Sequence, residues 1–97
     1  MGITVGKITE DIRKHHGISK RIKGVAVTEL ESSSPAARKG LKKYDIIIKV
    51  KVENRPMLKI DDPGDFKKAL SRVNTGESVL FQVVRGDNTF FIAMRAD

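Results

Sequence analysis

Only one stretch of this 97-residue chain carries a helix-spaced apolar stripe of substance, and strand-like runs enclose it on both sides. Asp62-Pro63 announces that stretch: the aspartate suits an N-cap, and proline fits the first helical position, where its missing donor costs nothing. Phe66, Ala69, Leu70 and Val73 then fall at i, i+3, i+4 and i+7, and Asn74-Thr75-Gly76 stops the helix. Ahead of it, Ile46-Ile47-Ile48-Lys49-Val50-Lys51-Val52 predicts a strand with Ile48, Val50 and Val52 inward and Lys49 and Lys51 outward. Behind it, Val79, Phe81 and Val83 share one face of a run over 78–85, and Phe90, Ile92 and Met94 share one face of a run over 89–95. Gly86-Asp87-Asn88 between them is a hairpin signal.

The upstream half repeats this grammar in shorter pieces. Residues 1–6 read as a brief strand, and residues 8–17 as a helix with Glu10 and Asp11 in its first turn and Gly17 as its stop. Val25–Leu30 predicts a half-buried strand, Ser34-Pro35 a capped short helix ended by Gly40, and Met57-Leu58 a last brief strand. Strands outnumber helices and only one helix is substantial, which argues for an α+β, mainly β fold closed by helices.

Length allows one domain with one modest core, burying roughly 65% of the unfolded surface. With no cysteine, disulfides and thiolate metal sites are excluded. No apolar run approaches a membrane span, and the first residues lack a signal-peptide core. Catalytic chemistry finds no footing either. His15 and His16 are adjacent on a helix, about 100° apart, and cannot share a metal. Asp61-Asp62 reads as a cap, Arg85-Gly86-Asp87 as a turn, and no Gly-rich phosphate loop is present, so no cofactor is expected. The net charge of +7 points toward anionic partners, yet Lys20-Arg21-Lys23, Arg38-Lys39-Lys42-Lys43 and Lys67-Lys68-Arg72 lie on separate elements. Few aromatics accompany them: Phe66, Phe81 and Phe90 fall on apolar faces, leaving Phe91 and Tyr44 spare.

Gly24-Val25-Ala26-Val27, Ser34-Pro35-Ala36-Ala37 and Gly40-Leu41-Lys42-Lys43-Tyr44-Asp45-Ile46-Ile47 follow one another in an order that resembles the core of PDZ domains. Asn54-Arg55-Pro56-Met57 resembles the family's next turn, Asp65-Phe66-Lys67-Lys68-Ala69-Leu70 its helix, and Gly76 through Arg85 the strand that follows. The opening Gly2-Ile3-Thr4-Val5, the helix over 8–17 and Gly24 resemble PDZ domains of the bacterial Deg/HtrA trypsin-like serine proteases, whose strand order is permuted relative to animal PDZ domains. Tyr44 stands where the family has glycine, so the turn either keeps φ negative or strains Tyr44. Residues 51–54 lengthen the hairpin relative to the family's turn.

The resemblance implies a partly open β-barrel or sandwich of five to six strands capped by two to three helices. It implies a single PDZ domain over 1–97, excised from a longer serine protease whose catalytic residues lie upstream. The partner it implies is a peptide or protein C-terminus, or an unfolded segment, added as a strand. Met1-Gly2-Ile3 would then hold the terminal carboxylate on backbone N–H groups. Ile3 and Val5 would line the last side-chain pocket, Thr4 lies on the same strand, and Lys67, Leu70 and Ser71 would form the opposite wall. Phe66 and Val73 would face the core. No nucleic acid, membrane insertion, metal or cofactor is implied; the isolated domain is expected to be a monomer, its parent an oligomer in the periplasm or cell envelope. The competing expectations are a nucleic-acid or anionic-surface binder driven by the charge, and a PDZ domain of a tail-specific or intramembrane protease.

Overall fold

Six strands form one antiparallel sheet in a computed structural model that describes residues 2–96. The strand order is β1 (Ile3–Gly6), β2 (Val25–Leu30), β3 (Ile46–Val52), β5 (Ser78–Arg85), β6 (Asn88–Arg95), with β4 (Leu58–Lys59) paired to β3. Helix α1 (Glu10–His16) lies in the β1–β2 connection, α2 (Pro35–Arg38) in the β2–β3 connection, and α3 (Pro63–Ser71) between β4 and β5. The three helices and six strands match the expected architecture.

Each helix starts where its side chains can satisfy free N–H groups. Thr9 Oγ1 accepts from the Ile12 N–H at 3.2 Å, Ser34 Oγ from the Ala37 N–H at 3.2 Å, and Asp62 Oδ1 from the Asp65 N–H at 2.9 Å. Pro35 and Pro63 occupy the first helical positions, and Gly17 closes α1 at φ 64°.

The sheet buries both faces, each in its own cluster. Val25, Val27, Ile47, Val50, Val79, Phe81, Val83, Ile92 and Met94 meet Phe66 and Ala69 of α3 and Ala36 of α2 in the main core. On the opposite face Ala26, Ile46 and Val84 bury Ile18, with Ile8, Ile12, Ile22 and Ile48 packed around them. That second cluster exists because α1 and its flanking loop fold back over the sheet. Arg13 holds the loop in place, its guanidinium donating to the carbonyls of Ser19 at 2.7 Å and Ile22 at 2.9 Å.

Three local expectations need correcting. Ile48 does not join Val50 and Val52: the β3–β5 register passes from Ile47↔Val83 to Lys49↔Gln82, leaving Ile48 as the extra residue of a bulge. The bulge resets the alternation, so Ile47 enters the main core while Ile48 packs against the second cluster. The β5–β6 turn has two residues rather than three, because Asn88 already pairs with Arg85. Nor is Tyr44 spare, for its ring stacks on His16 with centroids 4.7 Å apart.

Asp45 is 2% exposed and is bonded from three directions. Arg85 donates to it through Nε at 2.7 Å and Nη2 at 2.7 Å, and the Lys42 N–H donates at 2.8 Å. Arg85 Nη2 also reaches the Gly40 carbonyl at 2.8 Å, and the guanidinium lies over the Phe90 ring at 4.7 Å. The hydrogen bonds to Asp45 raise the Arg85 pKa above its ordinary value against the opposing effect of partial burial. One ion pair thus joins the α2–β3 turn to the β5–β6 hairpin. Beside it, Tyr44 sits at φ 70°, the strained branch of the sequence expectation. The left-handed conformation costs a non-glycine residue about 1–2 kcal/mol, which the His16 stack and a Lys43 ammonium 5.2 Å from the ring centroid help to offset.

Two outcomes follow for urea unfolding. Arg85→Met leaves a buried carboxylate without its cation and should cost about 3 kcal/mol, whereas Asp45→Asn frees a cation that already reaches solvent and should cost about 1–2 kcal/mol. The reverse order would contradict this account of the pair. For Tyr44, replacement by glycine should be close to neutral in the native background and stabilising by about 1 kcal/mol where His16 is already alanine. Equal effects in both backgrounds would mean that the stack does not offset the strain.

Candidate functional site

Among the described residues β1 has a neighbour on one side only. Its register against β2 runs Ile3↔Leu30, Thr4↔Glu29, then Val5↔Val27 and Gly6↔Ala26. The Glu31 N–H donates to the Gly2 carbonyl at 2.9 Å, which turns the backbone groups of Gly2 and Thr4 toward β2. The N–H and C=O groups of Ile3 and Val5 therefore point to the open side.

Thr28 is the extra residue where the register shifts. Its hydroxyl donates to the Thr4 carbonyl at 3.2 Å, a side-chain bond across the bulge. At the head of the strand Gly2 adopts φ 74°, and a Cβ there would sit 2.9 Å from Glu31 Oε2. The positive φ is what favours glycine at that corner, since the end of the Glu31 side chain could swing aside.

The expected site residues divide into groups. Ile3 and Val5 are half-buried and pack against the main core, as do Leu70 on α3 and Val73 just beyond its end. Strand and helix are thus two apolar borders of one buried cluster. Lys67 and Ser71 are exposed on α3, with the Ser71 hydroxyl turned back to donate to the Lys68 carbonyl at 2.7 Å. Thr4 is exposed, in a cleft of about 500 Å³ shared with Gly2, Ile3, Thr28, Glu29, Leu30, Glu31 and Lys43. Met1 lies outside the described residues. A smaller cleft of about 210 Å³ brings Lys7 and Lys23 against Asp61, Asp62 and Pro63, so the far end of β1 adjoins the start of α3.

Sequence reasoning missed Thr28 and Glu31. Both sit in a run whose alternation reads as plain strand and loop, and only the pairing register shows what they do. Val73 was expected in the core; it is half-buried, at the border that Leu70 also forms. Among the described residues no group of three or more His, Asp or Glu side chains could hold a metal ion. The edge offers noncovalent chemistry: two outward donor–acceptor sets at Ile3 and Val5, a glycine-permissive corner, and an apolar floor.

Comparison with known proteins bears on the family and the fold. A family model described as PDZ domain matches residues 1–93. The chain is 32% identical over 97 residues to a probable periplasmic serine endoprotease, DegP-like, of Chlamydia trachomatis, covering 100% of this chain and 18% of that protein. It spans less than a fifth of that relative's length. Among solved structures, the HtrA3 PDZ domain bound to a phage-derived ligand (FGRWV) superposes with a TM-score of 0.68 at 25% identity, covering 98% of this chain and 81% of that one. The PDZ domain of a carboxy-terminal protease from Vibrio cholerae, in complex with peptide, shares the fold with a TM-score of 0.66 at 17% identity, covering 98% and 89%. The chain belongs to the PDZ domain family and is similar to the PDZ domains of DegP/HtrA serine proteases.

Proposed function

We propose that this domain is the peptide-binding regulatory module of a longer serine endopeptidase, taking up hydrophobic C-termini and extended segments at β1. The observation that carries the proposal is the unpaired side of β1, with Gly2 at positive φ at its head and Leu70 of α3 bordering the same core. An extended peptide pairs its backbone with the outward groups of Ile3 and Val5, and its alternate side chains enter the apolar strip. Its terminal carboxylate accepts from outward N–H groups at the head of the strand, where the positive φ of Gly2 sets the turn of the backbone. Lys67, exposed on α3, adds a cation that draws acidic C-termini toward the strip.

The crystallised HtrA3 ligand ends in valine, the kind of side chain the Ile3–Val5–Leu70 strip would accept. The fold is shared with a carboxy-terminal protease and does not separate the parents. The likeness to a DegP-like endoprotease named periplasmic supports a parent of that kind in that compartment. Catalysis belongs to a separate domain of that parent, which this module supplies with substrate or releases from inhibition.

The test uses FGRWV with a free and with an amidated C-terminus, followed through backbone amide shifts. The free peptide should move the signals of Ile3, Val5 and Leu70 and bind at least about fivefold tighter than the amide. Gly2→Ala should weaken the free peptide by a similar factor. Equal binding of the two peptides would remove the carboxylate role. Shifts away from residues 2–6 and 63–73 would remove the groove.

A further inference from the structure

The sheet has a second open edge. β6 pairs with β5 through eight consecutive residues, from Arg85↔Asn88 to Ser78↔Arg95, with no register shift. The Arg85↔Asn88 pair closes the turn, and beyond the strand Ala96 donates to Glu77 and accepts from Gly76. Even-numbered residues therefore bond toward β5, and the N–H and C=O groups of Thr89, Phe91, Ala93 and Arg95 point outward. Natural edges are usually blunted by short length, proline, a bulge or inward charge. β6 is twice the length of β1 and carries neither proline nor bulge. Its Phe91 is 57% exposed, more than any other large hydrophobic side chain among the described residues.

Beside the last third of this edge lies α2, whose Ala36 shares the main core with Met94. Between them a cleft of about 460 Å³ is lined by Pro35, Arg38, Lys39, Ala93, Met94 and Arg95, and no acidic side chain among the described residues lines it. Arg38 and Lys39 are exposed, and Arg95 is exposed with one contact to the Gly76 carbonyl at 3.3 Å.

We infer that the β6 edge with α2 beside it is a second strand-addition site, whose ligand is an acidic extended segment of another polypeptide. Alternating outward donors and acceptors are complemented by a polypeptide backbone, not by a phosphate or a headgroup. Cations on both sides of the cleft select acidic side chains, while Pro35, Ala93 and Met94 give apolar contact. A second copy of β6 is a poor occupant, since its residues Asn88–Arg95 include no acidic side chain to meet Arg38, Lys39 and Arg95. The site does not depend on β1 and needs no free carboxylate.

The probe is acetyl-Asp-Val-Glu-Val-Asp-Val-amide, blocked at both ends, added to the labelled domain, with a control in which every acid is lysine. The acidic peptide should shift and protect the amides of Phe91, Ala93 and Arg95, shift those of Arg38 and Lys39, and bind less tightly as salt rises. The lysine peptide should not bind there. Arg38→Glu together with Lys39→Glu should weaken the acidic peptide about tenfold while FGRWV at β1 is unaffected. Equal binding of both blocked peptides, unchanged affinity in the double variant, or shifts confined to residues 2–6 and 63–73 would overturn the proposal. So would sedimentation showing that the domain alone dimerises through β6.

Discussion

The buried carboxylate of Asp45 is the constraint around which the molecule closes. It sits where the chain leaves α2 for the central strand β3, and its partner Arg85 ends β5 forty residues later. A carboxylate this deeply buried is tolerated only with its hydrogen bonds filled, and here two come from one guanidinium and one from the Lys42 N–H. Arg85 in turn covers Phe90 and holds the Gly40 carbonyl, so the α2 exit, the middle of the sheet and the last hairpin share one anchor. His16 on Tyr44 brings the end of α1 to the same corner. The β1–β2 connection is thereby fastened to the part of the domain farthest from it in sequence.

Much of this was legible in residue order. Ser34-Pro35 and Asp62-Pro63 mark helix starts by a mechanism that needs no tertiary information, and both are capped as expected. Asp45 and Arg85 belong to stretches that carried the family resemblance, but nothing in periodicity pairs them. The bulges at Thr28 and Ile48 were illegible for a different reason. A bulge is a property of two strands together, and one strand's alternation looks the same with or without it. Tyr44 lay between these cases: the sequence posed two conformations, and the tertiary contact with His16 decided for the strained one.

The expected site was legible as far as strand and helix could be named. Ile3 and Val5 on the strand and Leu70 on the helix each border the main core because alternation and helical spacing are strong signals. Thr4 is exposed in a cleft with Glu29 and Glu31, and Ser71 satisfies itself on its own helix, details that depend on side-chain direction rather than on position. The basic surface also reads differently once folded. One cluster gains a cation distant in sequence at α2 and β6, where Arg38 and Lys39 line a cleft with Arg95. The charge that looked diffuse along the chain is locally concentrated at an edge.

The Thr28 bulge has one more consequence. A plain strand can slide against its neighbour by two residues and keep the same face inward, losing little. Here the Thr28 hydroxyl recognises one carbonyl, that of Thr4, and the slide would abandon it. β1 is held in a single reading frame. Any segment laid along it is then counted from the same origin, so the spacing between a ligand's end and its side chains is measured by β2, a strand the ligand never touches.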